Sequence, residues 1–201
     1  MRRRLRVGGV LMAVVGGLAV VAPAASAQVG GGGWIPDSPS YQTQQRGCGK
    51  ASGSTFSLTC SDSSGDQRAE RRYDTYTGGT HQFEGYFKIT SQGGSRISLK
   101  QTFRDAPTAG PYFMLAVEKG GRLYAVHGGD TIASGATVGT RVRVNTINEV
   151  GKTHKVYING SLKQTVASPD GSYYDKFGTY RTSSGAGPIT AEWSDIRFWH
   201  K

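Results

Sequence analysis

Apolar positions recur mostly at every second residue, in short runs broken by Gly, Ser, Asp and Pro. This is the period of a half-buried β-strand, whose side chains alternate between two faces. In Arg141-Val142-Arg143-Val144-Asn145 the valines fall on one face and the arginines and the asparagine on the other. The pattern predicts strands over 55–60, 67–73, 80–90, 96–104, 112–118, 123–127, 141–148, 155–159, 162–167, 176–181 and 189–200. Asn159-Gly160 between two such runs is a two-residue hairpin signal. No window of 11 residues carries a helical period. Many short strands at regular spacing predict an all-β sandwich or jelly roll.

The first residues change the picture of where the chain works. Met1-Arg2-Arg3-Arg4-Leu5-Arg6 is basic, an apolar run extends from Val7 to about Ala22, and Ala25-Ser26-Ala27 follows. These are the three regions of a secretory signal peptide. The run contains glycines, ends at Pro23 and falls short of the ~20 apolar residues of a membrane span. Residues 1–27 are therefore expected to be cleaved, leaving a secreted, extracellular chain that has no membrane anchor. Residues 28–54, rich in Gly and Ser, read as a flexible lead-in, and 55–201 as one domain.

Charge and cysteines fit that setting. The chain has 24 Lys and Arg against 14 Asp and Glu; without the four arginines of the signal the net charge is +6. No run of five or six like charges suggests a nucleic-acid-binding arm. For an exported basic surface the expected partner is an acidic polysaccharide, and the chain is expected to act as a monomer. Cys48 and Cys60, the only cysteines, read as a disulfide in an oxidising compartment. No histidine stands at ligand spacing to complete a zinc site with them. A structural calcium ion held by scattered oxygens is compatible with such a sandwich, although the sequence holds no EF-hand loop.

Two stretches carry candidate chemistry. In Arg68-Ala69-Glu70-Arg71-Arg72, residues 68, 70 and 72 share one strand face. Such a row is costly to bury and belongs in a groove or on a solvated face. In Tyr174-Asp175-Lys176-Phe177-Gly178-Thr179-Tyr180, Lys176, Gly178 and Tyr180 share a face, with Phe177 turned to the core. The first stretch resembles the R-x-E-x-R motif of polysaccharide lyase family 7, the alginate lyases. The second resembles that family's Y-F-K-x-G-x-Y motif, with Asp175 where Phe is usual. Arg71-Arg72-Tyr73, Gly79 to Gly85 and a Gln-x-Phe strand at Gln101-Thr102-Phe103 are similar to glucuronan lyases of the same jelly-roll type. The likeness runs from about Gln67 to the C-terminus. It implies a concanavalin-like β-jelly roll of two antiparallel sheets with a concave substrate groove. One departure stands out: family 7 enzymes carry Q-I-H, and here Phe103 takes the histidine's place.

The resemblance implies β-elimination on a 4-linked polyuronate such as glucuronan or an alginate-like polymer. The uronate carboxylate must be neutralised, the C5 proton removed and the O4 leaving group protonated. Gln101 and Arg68 suit the first task as preorganised donors and charge, with His81 as a further contributor. In glucuronate and mannuronate the C5 proton and O4 lie on the same side of the ring, so one group can perform both proton transfers. Tyr180 is the candidate. A free phenol titrates near ~10, and Lys176 together with the arginines of 68–72 is expected to favour its anion. His81 is the rival base, kept in a shared role. Arg72, Lys176 and Arg143 are expected to bind flanking carboxylates, and Glu70 to hold the arginines. His127 ranks lower, and His154 and His200 read as surface residues.

The alternative is a non-catalytic, lectin-like carbohydrate-binding module on the same scaffold, which has no need of such a reactive set. A glycoside hydrolase would need two carboxylates ~5–9.5 Å apart, whereas Glu70, Glu84 and Glu192 fall on separate strands.

Overall fold

The computed structural model describes residues 29–62 and 64–201; the expected signal peptide lies outside them. The strands in chain order are β1 (Ile35–Asp37), β2 (Tyr41–Arg46), β3 (Gly49–Ser52), β4 (Thr55–Leu58), β5 (Arg68–Tyr73) and β6 (Tyr76–Thr77). There follow β7 (Thr80–Gln92), β8 (Arg96–Ala106), β9 (Gly110–Glu118), β10 (Leu123–Ala125) and β11 (Thr131–Ala133). The last five are β12 (Arg141–Glu149), β13 (Thr153–Ile158), β14 (Ser161–Ala167), β15 (Ser172–Tyr180) and β16 (Ile189–His200). They form two antiparallel sheets. Sheet I runs β14-β13-β12-β7-β16-β4-β3, with β1 beside β16. Sheet II runs β11-β10-β9-β8-β15-β5-β2, with β6 beside β15. No helix among the described residues is long and apolar enough to cross a membrane.

The core lies between the sheets and is built by the predicted alternation. Val142, Val144, Phe83 and Phe87 of sheet I face Leu115, Val117 and Phe177 of sheet II. Phe177 is the aromatic hub, with ring centroids 4.9 Å from Trp193, 5.6 Å from Phe56 and 5.8 Å from Phe83. Burying side chains of this size stabilises by about 1.5–3 kcal/mol each. The hairpin at Asn159-Gly160 forms as expected, with φ of 51° and 80°. These angles suit the primed turns that match strand twist. Cys48 and Cys60 are disulfide-bonded.

Two expectations are corrected here, and one strand departs from plain alternation. The stretch 28–54 is not a flexible lead-in, since β1, β2 and β3 lie within it and supply edges to both sheets. They are short and mostly exposed, with few apolar residues, so no hydrophobic alternation marks them. The final strand does not alternate strictly either. Its register shifts between Ser194 and Arg197, and Asp195 has a φ of 52°. This bulge brings Trp193 and Phe198 to the same core although their sequence parities differ. His154, read as a surface residue, is fully buried between the sheets.

The interior holds an unexpected set of polar groups. Asp175 and Lys100 form an ion pair inside the sandwich, both nearly inaccessible to solvent. Lys100 Nζ also donates to the Gln101 carbonyl at 2.8 Å and to Thr102 Oγ1 at 3.3 Å. His154 Nε2 lies 3.1 Å from Thr102 Oγ1. Asp175 therefore stands at an inward position where an apolar residue is the usual choice, and Lys100 is its answer from the next strand. Burial, with the Lys100 charge nearby, pushes the His154 imidazole down from 6.5 to about 3.

Two outcomes follow. Asp175→Leu leaves an ammonium buried without its partner, and should lower stability in urea denaturation by about 3–5 kcal/mol. The double variant Lys100→Met/Asp175→Leu should recover most of that loss. His154 is neutral in the fold, and its imidazole is depressed relative to the unfolded chain. Its contribution to stability is thus complete above pH 6.5 and is lost as pH falls toward about 3. Denaturation measured between pH 7 and pH 5 should show a slope of up to about 1.4 kcal/mol per pH unit from this group. His154→Gln should flatten the slope by that amount.

Candidate functional site

The outer face of sheet II collects most of the residues expected to act. β5 pairs β15 with Arg72 opposite Lys176, Glu70 opposite Gly178 and Arg68 opposite Tyr180. β8 lies on the other side of β15, with Gln101 opposite Lys176 and Ser98 opposite Tyr180. Residues directly opposite in adjacent strands point to the same face, so Arg68, Glu70, Arg72, Gln101, Lys176 and Tyr180 form one surface. Gly178 is required there. Its φ is 141°, and a Cβ would meet the Ala69 carbonyl oxygen at 2.2 Å. The glycine thus serves the close approach of β5.

Glu70 is the centre of the floor. Its Oε2 accepts from Lys176 Nζ at 2.6 Å and its Oε1 from Gln101 Nε2 at 2.5 Å. All three side chains are buried. Burial pushes the Glu70 carboxyl up, against the opposing pull of Lys176 and Arg68. Glu70 therefore holds Lys176 and Gln101, where it was expected to hold the arginines. Lys176 is also four residues from Tyr180, ~13 Å along a strand rising about 3.3 Å per residue. The cation beside the phenol is Arg68, whose guanidinium carbon lies 5.2 Å from the Tyr180 ring centroid.

Arg68 is itself held by Asp66, through Nε at 3.1 Å and Nη2 at 2.5 Å. Arg46 of β2 reaches the same carboxylate at 3.3 Å. At the other end of the face, Arg72 lies 4.0 Å over the Tyr174 ring, which stacks on Phe103 at 4.9 Å and 11°. Phe103 thus faces outward as the motif position requires, within an Arg–Tyr–Phe stack. Burial raises the Tyr174 phenol, with Arg72 opposing.

Two expected residues are elsewhere. His81 lies on β7 of sheet I, opposite Asn148 and His200. Its ring stacks on Tyr76 at 3.9 Å and its Nε2 is 3.0 Å from the Gly78 carbonyl oxygen. It lines a cleft of about 320 Å³ with Tyr73, Tyr76 and Asp175 at the end of the sandwich. Burial lowers its imidazole. Arg143 is on β12, also in sheet I, where Nη2 meets Glu84 Oε2 at 2.5 Å beside Asn145. Neither shares a face with Tyr180.

Other members of the face escaped the sequence reading. Gln42 pairs in register with Arg72, Gln44 with Glu70 and Arg46 with Arg68. The signal was present as polar residues at every second position of 42–46, mirroring 68–72. Ala116 opposite Ser98, and Tyr124 opposite Ala116, extend the row from Tyr180. Among the described residues no three His, Cys, Asp or Glu side chains gather as they would around a metal ion.

The fold is that of solved alginate lyases. The alginate lyase AlgAT5 of polysaccharide lyase family 7 shares 24% identity over 73% of this chain and 77% of its own, with a TM-score of 0.58. An alginate lyase from Pseudomonas aeruginosa shares 20% over 67% of this chain and 75% of its own, with a TM-score of 0.56. The family 7 alginate lyase A1-II′, solved with substrate after a His→Asn and a Tyr→Phe substitution, shares 20% over 73% and 77%, with a TM-score of 0.57. The two-sheet sandwich is thus a β-jelly roll. No protein-family model matches the sequence. No curated protein matches it either.

The floor has a measurable dependence on Glu70. Glu70→Leu removes the acceptor for a buried ammonium and a buried amide, and should cost about 3–5 kcal/mol in urea denaturation. Glu70→Gln keeps one acceptor oxygen and should cost less.

Proposed function

We propose that this chain is an exported polysaccharide lyase that cleaves a 4-linked polyuronate, glucuronan or an alginate-like polymer, by β-elimination. The observation that carries the reading is the single face on which strands distant in sequence bring Arg68, Gln101 and Tyr180 together. The jelly roll it shares with alginate lyases, one of them solved with its substrate, supports the same reading.

The face suits an acidic polymer. Arg46, Arg68, Arg72 and Lys176 outnumber Asp66 and Glu70 on it. A positive surface of this kind attracts and concentrates polyanions. Gln101 is an amide with one N–H fixed on Glu70, so its orientation is set before substrate arrives. Its remaining donor can meet the carboxylate as C5 loses its proton and charge moves onto those oxygens. Tyr180 is the proton-transfer group: its phenolate takes the C5 proton, and the resulting phenol gives a proton to O4 as the C4–O4 bond breaks. Arg68, its guanidinium carbon 5.2 Å from the ring centroid, supplies positive charge beside the phenol that alternates between these forms. Asp66 fixes that guanidinium by two bonds and keeps it from wandering onto the substrate. Arg72 is left to engage a carboxylate of a flanking unit.

The test is a panel of uronate polymers read by the ultraviolet absorbance of the unsaturated product. Turnover on one of them, lost by about 10²–10⁴-fold in Tyr180→Phe with binding retained, is the expected result. Gln101→Ala should cost about 10²–10³-fold. Binding without turnover on any uronate would replace this reading with a lectin-like one.

A further inference from the structure

We infer that the cleft at the end of the sandwich binds a small organic molecule through a primary ammonium group. The cleft lies apart from the face that carries Tyr180. Its walls come from between the sheets, and the crossing from β1 in sheet I to β2 in sheet II closes one side. Its volume of about 320 Å³ stands at the small end of ligand pockets.

The floor is Asp175, which is 5% exposed. Its Oδ1 is taken by Lys100 and Thr102. Its Oδ2 accepts no bond among the described residues and is not sealed from the cleft. A carboxylate oxygen this deep is costly to leave without a donor, and the chain supplies none. At the rim, Asp74 Oδ2 accepts from the Ser40 backbone N–H and Asp37 Oδ1 from that of Ser38, both at 2.8 Å. The crossing thus orients both carboxylates and leaves each with an oxygen to spare; that of Asp37 lies 3.7 Å from His200 Nδ1.

The remaining polar groups add to the acceptors. His81 Nε2 lies 3.0 Å from the Gly78 carbonyl oxygen, which can only accept, so this nitrogen carries the proton. Burial lowers the imidazole and keeps it neutral, which leaves Nδ1 as an acceptor. No lysine or arginine lines the cleft among the described residues. Lys100 lies behind Asp175, and Arg72 reaches Thr75 from the outer face of sheet II. Three carboxylates therefore face one cleft on a chain whose net charge is +10.

This chemistry selects the ligand. An anion is repelled. A neutral polyol can fill the acceptors but does not offset their charge. The described carboxylates are spread around the cleft and do not gather as they would around a metal ion. An ammonium group brings three donors and a positive charge on a carbon frame. Tyr73 and Phe198, with ring centroids 4.4 Å apart, give that frame an apolar wall.

The test is calorimetric titration of the full chain, with amide chemical shifts to locate the ligand. Two probes, 1,4-diaminobutane and glucosamine, carry the ammonium on different frames; N-acetylglucosamine is the second with its charge removed. The expected result is that at least one amine binds at one site per chain and shifts the amides of 37–40, 74–76 and His81. N-acetylglucosamine should bind at least about tenfold more weakly, the loss of one charge-assisted bond. Tighter binding of glucosamine identifies an amino sugar as the occupant, and tighter binding of the diamine an aliphatic amine; both support the site. Asp37→Asn and Asp74→Asn change exposed residues, keep the acceptor for the crossing and should each weaken the amine by a similar factor. Four outcomes overturn the inference: equal binding of N-acetylglucosamine, shifts confined to other parts of the chain, unchanged affinity in both variants, or no saturation by either amine at about 10 mM, well above the Kd of even a ~1 mM site. None of them touches the turnover of uronates, so the lyase reading stands or falls separately.

Discussion

β8 and β15 are joined by charge on both faces, and the site depends on it. Inward, Lys100 pairs with Asp175. Outward, Gln101 and Lys176, the next residue on each strand, meet on Glu70. A slip of one residue between strands would turn every side chain over. Were β15 the strand to slip, Asp175 would turn outward and Lys176 inward beside Lys100, leaving two ammoniums in the sandwich without their carboxylate. Burying charge is costly, and a buried pair is weak evidence for stability. Its effect here is on register, because neither pair can form in another alignment.

That register has chemical consequences. Because Lys100 also donates to the carbonyl of Gln101, the inner pair grips the backbone of the residue that presents the amide. The outer pair then fixes the amide itself. Gln101 is thus held from beneath and from the side, while Tyr180, three to four residues on, is less enclosed and is accompanied by Arg68. The face grades from a buried floor to a more open edge at Tyr180. Under the proposed reaction this would suit a polymer that must be gripped firmly but must also reach a phenol and leave it.

The parts of this arrangement that a sequence shows are those governed by period two. Arg68, Glu70 and Arg72, and Lys176 and Tyr180, were legible as faces because alternation is local. Phe177 was legible as an anchor for the same reason. Which sheet a strand joins is not local. His81 and Arg143 sit on strands with sound alternation, yet β7 and β12 belong to the opposite sheet. Asp175 and His154 were hidden for a different reason: each is polar at an inward position, and its partner lies far away along the chain. The edge strand β2 has exposed residues on both faces, so its Gln42 and Gln44 give no apolar signal at all.

The division between charged and neutral groups on the face has a further implication. In the proposed reaction Arg46 and Arg72 would attract a carboxylate equally before and during the proton transfers, so their contribution would fall on binding. Such attraction between exposed charges is also weakened by salt. Gln101 and Tyr180 are different. In the proposed reaction the amide would bond more strongly to a carboxylate gaining charge from C5, and the phenol would change its bonding only as protons move. Their contribution would fall on the transition state. Asp66 and Glu70 serve this division by offsetting part of the positive charge. Without them the face would hold a polyanion more tightly at every stage, and product as tightly as substrate. The same carboxylates fix Arg68 and Gln101 in place, so both are oriented in the absence of any ligand.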